Sequence, residues 1–336
     1  MHKKKVLFIC GSLNQTSMMH QISSQMNDYD SYFTPYYGDK FLNFCANHGL
    51  LDFSILGGSF RRNTEDYLKK HDLKIDYRGL NNEYDLVYTC SDLIIPKNIR
   101  NKKIILVQEG MTDPENIFYH LLKYFNLPRW LAGTSANGTS NMFDLFCVAS
   151  SGYKDFFIRK GAKAKKIIVT GIPNFDNARQ YLKNDFPHNN YVLVATSDSR
   201  ETFKYENRKK FIRQCVEIAQ GRQIIFKLHP NEKFDRANKE INKYAPGALV
   251  FANGNTNHMI ANCDVLITKY SSVVYVGMAL GKEVHSAFNL EDLKKLVPLQ
   301  NNGTSAERIA RIGTYLLEEP NTTLDEIHAE FDLKTA

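Results

Sequence analysis

The sequence has 336 residues, of which 43% are hydrophobic and 24% charged, which suffices for two globular cores of about 150 residues each and excludes a disordered chain. Its formal net charge of +7 is modest and spread along the chain, which favours anionic small molecules or a membrane surface over nucleic acid. The apolar runs are much shorter than the roughly 20 residues that cross a bilayer, and the N-terminus lacks the apolar segment of a signal peptide, so we expect a cytoplasmic protein.

The first half alternates short apolar strands with helical patterns. Residues 5–10 form a continuous apolar run that ends at Gly11 and is followed by a helical stretch. Further strands are predicted at 84–89, 103–107, 144–148 and 167–170, and a helix at 150–160. Continuous apolar strands that alternate with helices predict a parallel sheet covered on both faces.

A polar segment at 177–190 separates this half from a second series of the same kind. That series has predicted strands at 191–195, 223–227, 248–251 and 264–268, with an amphipathic helix at 207–220. We therefore predict a first domain at 1–176, a linker at 177–190, a second domain at 191–304, and a C-terminal helix and tail at 305–336.

Six scattered cysteines contain no Cys-x-x-Cys pair and lie mostly within apolar runs. This pattern predicts buried thiols in a reducing compartment rather than disulfides or zinc ligands. The first turn, Gly11-Ser12-Leu13-Asn14, also lacks the glycine fingerprint of a dinucleotide site, which disfavours hydride transfer. No metal and no cofactor are predicted.

Polar residues follow most of the predicted strands, at the edge where doubly wound sheets bind their ligands. In the stretch KLHPNE, the strand ends at His229, and Pro230 rigidifies the turn after it. A histidine in this place can donate to a phosphate oxygen or protonate a leaving group near neutral pH. The alternative is a loop histidine that bonds only to backbone.

A second polar motif, Lys269-Tyr270-Ser271-Ser272, lies between a buried strand and a helix of small residues. Two serines at a helix N-terminus offer hydroxyl and backbone N–H groups to an anion, and Lys269 adds charge. The alternative is an ordinary helix cap. We favour a phosphate-binding turn.

These motifs resemble the C-terminal half of GT-B-fold enzymes that use nucleotide-activated sugars or polyols. KLHP at 227–230 and DVLITKYSS at 264–272 are similar to the His-Pro and Ser-Ser motifs of CDP-glycerol glycerophosphotransferases and of bacterial sialyl- and Kdo-transferases. The resemblance implies that His229, Ser271 and Ser272 contact the phosphate of a cytidine nucleotide donor. Lys269 stands where the glycerophosphotransferase pattern usually has aspartate.

A second resemblance, to the UDP-N-acetylglucosamine 2-epimerase family, covers more of the chain. It rests on VQEG at 107–110, on residues 147–176 and on TSDSRETF at 196–203. Asp92, Glu109, Arg200 and Glu201 fit that family's acidic and arginine-glutamate positions. Three nucleotide contacts differ: Asp198 replaces a histidine, the turn at 11–14 replaces an arginine-bearing one, and Tyr275 replaces the glutamate that grips the ribose.

Glycosyl transfer needs a carboxylate to deprotonate the acceptor and donors to stabilise the departing phosphate. Gln108-Glu109-Gly110 resembles the acidic-acidic-Gly motif of bacterial sialyltransferases, which implies Glu109 as the base, with Asp92 assisting. A capping or ion-pair role is the alternative for Glu109. The remaining predicted site residues are Ser12, Asn14 and Gln108 for the acceptor, and Thr196, Arg200 and His258 for the donor.

The stretch HLLKYFNLPRWL at 120–131 combines aromatic residues with Lys123 and Arg129. It predicts either a buried helix or an amphipathic patch that touches a membrane, where a lipid-linked acceptor would wait.

The sequence as a whole predicts an α/β, GT-B fold of two Rossmann-like domains whose parallel sheets face a central cleft. The predicted function is a glycosyl- or polyol-phosphate transferase with a CMP- or CDP-linked donor and a cell-surface glycan or lipid-linked acceptor, as in capsule or lipopolysaccharide assembly. A UDP-N-acetylglucosamine 2-epimerase and a non-catalytic nucleotide-sugar-binding scaffold are the alternatives. The oligomeric state stays open.

Overall fold

The chain forms two compact units in the computed structural model, which describes residues 3–52, 54–115, 117–125, 127–197, 199–201 and 205–332. One unit consists of Met1–Asp176 together with Pro298–Ala336, and the other of Asn177–Val297. The segment predicted as a C-terminal helix and tail therefore belongs to the first unit, and the predicted linker at 177–190 lies within the second.

Each unit contains one sheet, and all the described strand pairings in both sheets are parallel. The strand order is β2-β1-β3-β4-β5-β6 in the first unit and β11-β10-β7-β8-β9 in the second. The strands are β1 Lys5–Cys10, β2 Asp30–Pro35, β3 Leu86–Thr89, β4 Lys103–Val107, β5 Leu145–Val148, β6 Ile167–Val169, β7 Val192–Ala195, β8 Ile224–Lys227, β9 Leu249–Phe251, β10 Val265–Thr268 and β11 Glu283–His285. The predicted α/β class with two parallel sheets is confirmed.

Helices connect the strands, as parallel pairing requires. The helices are α1 Leu13–Ser23, α2 Lys40–Asn47, α3 Gly58–Lys70, α4 Ile117–Phe125, α5 Ser151–Arg159, α6 Arg208–Ala219, α7 Phe234–Tyr244, α8 Thr256–Asn262, α9 Val274–Ala279, α10 Leu290–Leu296, α11 Ser305–Glu318 and α12 Leu324–Phe331. Side-chain caps fix where several begin: Ser12 accepts from the Gln15 N–H, and Asn207 from the Lys210 N–H. In the described ranges, no helix has both the length and the apolar character needed to span a membrane.

Five of the six cysteines are buried, and Cys45 is partly exposed. Burial raises the pKa of the Cys147 and Cys215 thiols to about 12 and that of Cys90 well above its usual range. The thiolate is the nucleophilic form of cysteine. These buried thiols are therefore inert packing groups, as their apolar sequence surroundings predict.

Helix α11 packs against the first sheet and completes that unit. The Tyr88 hydroxyl of β3 donates to the Ile309 carbonyl at 3.2 Å, and the Lys103 ammonium of β4 donates to the Leu316 carbonyl at 3.2 Å. Gly313 allows this close approach, because a Cβ atom there would lie 1.8 Å from the Tyr88 hydroxyl oxygen.

We expect Gly313→Ala to destabilise the first unit by about 1–3 kcal/mol, since the new methyl group would force the fully buried Tyr88 ring or the helix to move. Alanine favours a helix interior by only about 1 kcal/mol over glycine, so the clash should dominate. Urea denaturation followed by circular dichroism measures the change. Glu307→Ala, at an exposed position of the same helix, is the control, and equal stabilities of the two variants would contradict the close packing.

Candidate active site

Glu109 follows β4 at the carboxyl edge of the first sheet and is held by two neutral donors. The Ser12 hydroxyl donates to Oε1 at 2.7 Å, and the Gln15 side-chain amide donates to Oε2 at 2.5 Å. Within the described residues, no lysine, arginine or histidine forms an ion pair with this carboxylate. The arrangement leaves Glu109 half-buried, oriented and paired with no cation in the part of the chain that the structure describes.

Gly11 makes this geometry possible. A Cβ atom at Gly11 would lie 1.9 Å from the Gln15 side-chain oxygen, so a larger residue there would displace the Gln15 amide from its place beside Glu109. The Thr64 hydroxyl holds the same turn by donating to the Gly11 carbonyl at 2.6 Å. The small first turn therefore serves to place Gln15, which sequence reasoning did not single out.

Asn14 and Gln108, both predicted to contact the acceptor, lie in different surroundings. Asn14 is exposed, and its carbonyl accepts from the Asn174 side chain at 3.1 Å. Gln108 is 3% exposed; its amide nitrogen donates to the Gly110 carbonyl at 2.8 Å and its amide oxygen accepts from the Ala149 N–H at 2.9 Å. Both ends of the Gln108 amide are therefore used to connect the backbone after β4 with the backbone after β5, not to contact an acceptor. The acceptor-binding roles of Ser12 and Asn14 stay predictions.

Asp92 is a loop anchor rather than the assisting group that the sequence predicts. Its carboxylate has no exposed area, and its two oxygens accept from the Gly138 N–H at 2.7 Å and the Ser140 N–H at 2.8 Å. Arg129 lies 3.8 Å from the same carboxylate. Enclosed by backbone donors, Asp92 fixes the segment at 137–140 and exposes no carboxylate oxygen to an acceptor without local rearrangement.

In the second unit, β10, β7 and β8 are neighbours, so the turns after them share one edge. The His229 ring is partly exposed, and its Nδ1 accepts from the Asn231 N–H at 3.2 Å, which leaves the proton of the neutral ring on Nε2. Pro230 is exposed within this turn. Thr196 lies against it, because its hydroxyl oxygen accepts from the His229 N–H at 3.1 Å. The structure thus brings Thr196 and His229 together.

Ser271 and Ser272 lie between β10 and α9, and both are partly exposed. Their carbonyls accept from the Val274 N–H at 3.2 Å and the Tyr275 N–H at 3.0 Å, so the two serines form the turn that starts the helix. Helix α9 has only six residues, and a helix this short contributes little field of its own. An anion at this turn would therefore gain little from the field of the helix.

The Lys269 side chain contacts Glu206, which precedes α6, and Phe211 within α6. Its ammonium lies 3.6 Å from the buried Glu206 carboxylate and 4.6 Å from the centre of the Phe211 ring. Glu206 also pairs with Arg208 at 2.6 Å, and Arg208 pairs with Glu232. Sequence reasoning missed Glu206, Arg208 and Glu232, although Glu232 stands within the KLHPNE stretch.

Arg200 and His258 have defined partners in the same unit. The Arg200 guanidinium pairs with Glu240 of α7 at 2.9 Å. Burial lowers the pKa of Arg200, but Glu240, Glu206 and Glu232 together outweigh burial, so the net shift is upward. The His258 N–H donates to the Asn255 side chain at 3.4 Å, and its ring lies 6.3 Å from the Tyr181 ring. Their donor roles stay predictions, and Asp198 lies outside the described residues.

The predicted amphipathic patch exposes apolar side chains. Within the patch, Phe125 is 67% and Trp130 41% exposed, and Ile117, just before it in α4, is 69% exposed. The Lys123 side chain lies outside the described residues. Membrane contact stays a prediction.

The described residues contain no group of three or more histidine, cysteine, aspartate or glutamate side chains arranged to hold a metal ion. The sequence-based expectation that neither a metal nor a cofactor takes part stays a prediction.

No protein-family model matches the sequence, and the search of curated proteins finds no match either. Solved structures are similar over almost the whole chain. A candidate UDP-N-acetylglucosamine 2-epimerase from Listeria monocytogenes has a TM-score of 0.60 and 15% identity, covering 95% of this chain and 98% of that one. The UDP-GlcNAc 2-epimerase of Methanocaldococcus jannaschii, in complex with UDP-GlcNAc and UDP, has a TM-score of 0.55 and 15% identity, covering 93% and 99%.

The wall teichoic acid polymerase TagF, soaked with CDPG, has a TM-score of 0.52 and 12% identity, covering 95% of this chain and 90% of that one. At these identities the similarity shows the fold alone. The chain has a GT-B fold, and the predicted structural similarity to UDP-N-acetylglucosamine 2-epimerases is confirmed. The finer similarity to CDP-glycerol glycerophosphotransferases stays a prediction.

We expect Asp92→Asn to lower the free energy of unfolding by about 1–3 kcal/mol, because an amide can accept from only one of the two backbone N–H groups with its single oxygen. Asp113→Asn is the matched control, since Asp113 is partly exposed and accepts from the Thr134 hydroxyl at 2.8 Å, and its loss should stay within about 0.5 kcal/mol. Urea denaturation compares the two. An Asp92→Asn protein of unchanged stability would contradict the anchoring role.

Proposed function

We propose that the chain is a transferase that uses a nucleotide-activated sugar or polyol, binding the donor with its second unit and the acceptor with its first. The observation that carries the proposal is the Glu109 carboxylate, oriented by Ser12 and Gln15 and paired with no cation among the described residues. Such a carboxylate suits a general base, because no described cation pairs with it and two hydrogen bonds fix its direction. The nucleotide sugars named for the structural neighbours support a donor of this class.

In the proposed reaction, Glu109 removes the proton of an acceptor hydroxyl, with Ser12 and Asn14 as further acceptor contacts. The hydroxyl oxygen attacks the activated carbon or phosphorus atom, and the bond to the nucleotide phosphate breaks. His229 donates from Nε2 to the departing phosphate, and the Ser271 and Ser272 hydroxyls stabilise its oxygens. Neither a metal nor a cofactor forms part of the proposal.

A 2-epimerase is the second candidate, and the epimerase structures among the neighbours favour it. Epimerisation by elimination needs groups that remove and return a proton at C2. Glu109 suits that task, but the enclosed Asp92 carboxylate does not. Tyr275, at the position of the family's ribose-binding glutamate, is 1% exposed and so is placed in the core. These two features favour the transferase.

We expect CMP or CDP to raise the melting temperature of the purified protein more than UMP, UDP or GDP. A ligand that binds only the folded state stabilises it by about 2.7 kcal/mol at one hundred times its dissociation constant. A preference for UDP would instead favour the epimerase and call for an assay of C2 inversion without acceptor. No stabilisation by any of the five nucleotides would contradict the proposed function.

We expect Glu109→Gln to reduce turnover about 10²- to 10⁴-fold while the nucleotide dissociation constant stays within about twofold, because a general base acts in the chemical step alone. His229→Ala should lower both the turnover and the affinity for the nucleotide. Release of nucleotide from the activated donor measures turnover, and calorimetry measures affinity. Glu83→Gln, an exposed carboxylate paired with Lys102, is the control. Full turnover by Glu109→Gln would refute the assignment of Glu109 as the base. If the unmodified protein binds nucleotide but shows no turnover, the result would favour a non-catalytic nucleotide-sugar-binding scaffold.

A further inference from the structure

The turn after β8 is closed by a carboxylate that lies beneath it. The Glu232 side chain has no exposed area; its Oε2 accepts from the His229 N–H at 3.1 Å and also from the Thr196 hydroxyl. The Glu232 N–H donates to the His229 carbonyl at 3.0 Å. Glu232 therefore holds the His229 residue through both of its backbone groups and ties the ends of β7 and β8 together.

Arg208 pairs with this buried carboxylate and directs it. The Arg208 guanidinium pairs with Glu232 Oε1 through one nitrogen and lies 2.6 Å from Glu206 through another, while Glu206 reaches Lys269 at 3.6 Å. An unpaired buried carboxylate would cost several kcal/mol. Two carboxylates and two cations thus alternate from the turn after β8 to the end of β10.

Stability alone is a weak reason for such a network, because apolar residues of the same volume often stabilise a fold equally well. The residues that this network contacts are more informative. They are Thr196, His229 and Lys269, which the sequence analysis predicts to bind the donor. The orientation of the His229 ring depends on the same turn, because Nδ1 accepts from the Asn231 N–H within it. A displaced turn would lose that bond and with it the preference for the Nε2–H form.

We propose that Glu232 and Arg208 are positioning residues that fix the His229 turn, so that Nε2–H is presented to the phosphate of the donor. The two residues act through His229 and Thr196 rather than on the donor itself. The role in donor binding rests on the proposed function. The predicted tautomer of the His229 ring in the ligand-free protein does not depend on that function.

The first test measures the His229 tautomer by ¹⁵N NMR of histidine-labelled protein without ligand. The chain has ten histidines, and the signal missing from His229→Gln identifies the ring. In Glu232→Gln we expect the Nε2–H form to give way to a mixture of tautomers. Glu283→Gln, which breaks the exposed pair with His285 at 2.8 Å, is the matched control and should leave the His229 signals unchanged. Unchanged His229 signals in Glu232→Gln would overturn the proposal.

The second test measures the affinity for the nucleotide that stabilises the protein most. Glu232→Gln should weaken binding about tenfold, the value of one hydrogen bond to a charged group, whereas Glu283→Gln should not. If the unmodified protein binds none of the nucleotides, the proposed function fails, while the tautomer measurement still decides the positioning role.

Thr196→Val keeps the proposal testable if Glu232→Gln does not fold. It removes only the hydroxyl that Glu232 and the His229 N–H share, with a side chain of the same shape. We expect the same tautomer shift at His229. A Thr196→Val protein with the original His229 signals would then overturn the proposal.

Discussion

Parallel pairing of the strands is the constraint on which both candidate sites depend. Because all described strands of a sheet run in one direction, the turns that follow them meet at one edge. In the first sheet this brings Ser12 to Glu109, which lies 97 positions later in the sequence. In the second sheet it places Thr196 beside the His229 turn. The topology thus determines which polar residues meet.

The two units hold a carboxylate in contrasting ways. Glu109 is partly exposed and accepts from neutral groups, whereas Glu232 is enclosed and paired with a guanidinium. A neighbouring cation favours the ionised form of a carboxylate and opposes proton transfer to it. Neutral donors orient a carboxylate with less effect on its charge. The first arrangement therefore suits chemistry, and the second suits the support of a neighbouring turn.

Sequence periodicity predicts β1 and β4 residue for residue, because both are continuous apolar runs in the middle of a covered sheet. It misses β2, Asp30–Pro35, an edge strand that mixes polar residues and a proline. Within the site, the position of Glu109 follows from its strand. The role of Asp92 does not, because its partner Gly138 lies 46 positions away on a loop that no local pattern identifies. Whether a polar side chain faces a ligand or a backbone amide depends on such distant contacts.

The discontinuous first unit has a consequence for the order in which the chain can fold during synthesis. The second unit is formed by consecutive residues, Asn177–Val297, and all its strands are made before α11 emerges from the ribosome. The sheet that carries Glu109 lacks the contact between Tyr88 and α11 until α11 arrives. The second unit is therefore able to fold first. Until α11 is made, the first unit has an incompletely covered sheet that ribosome-associated chaperones can recognise.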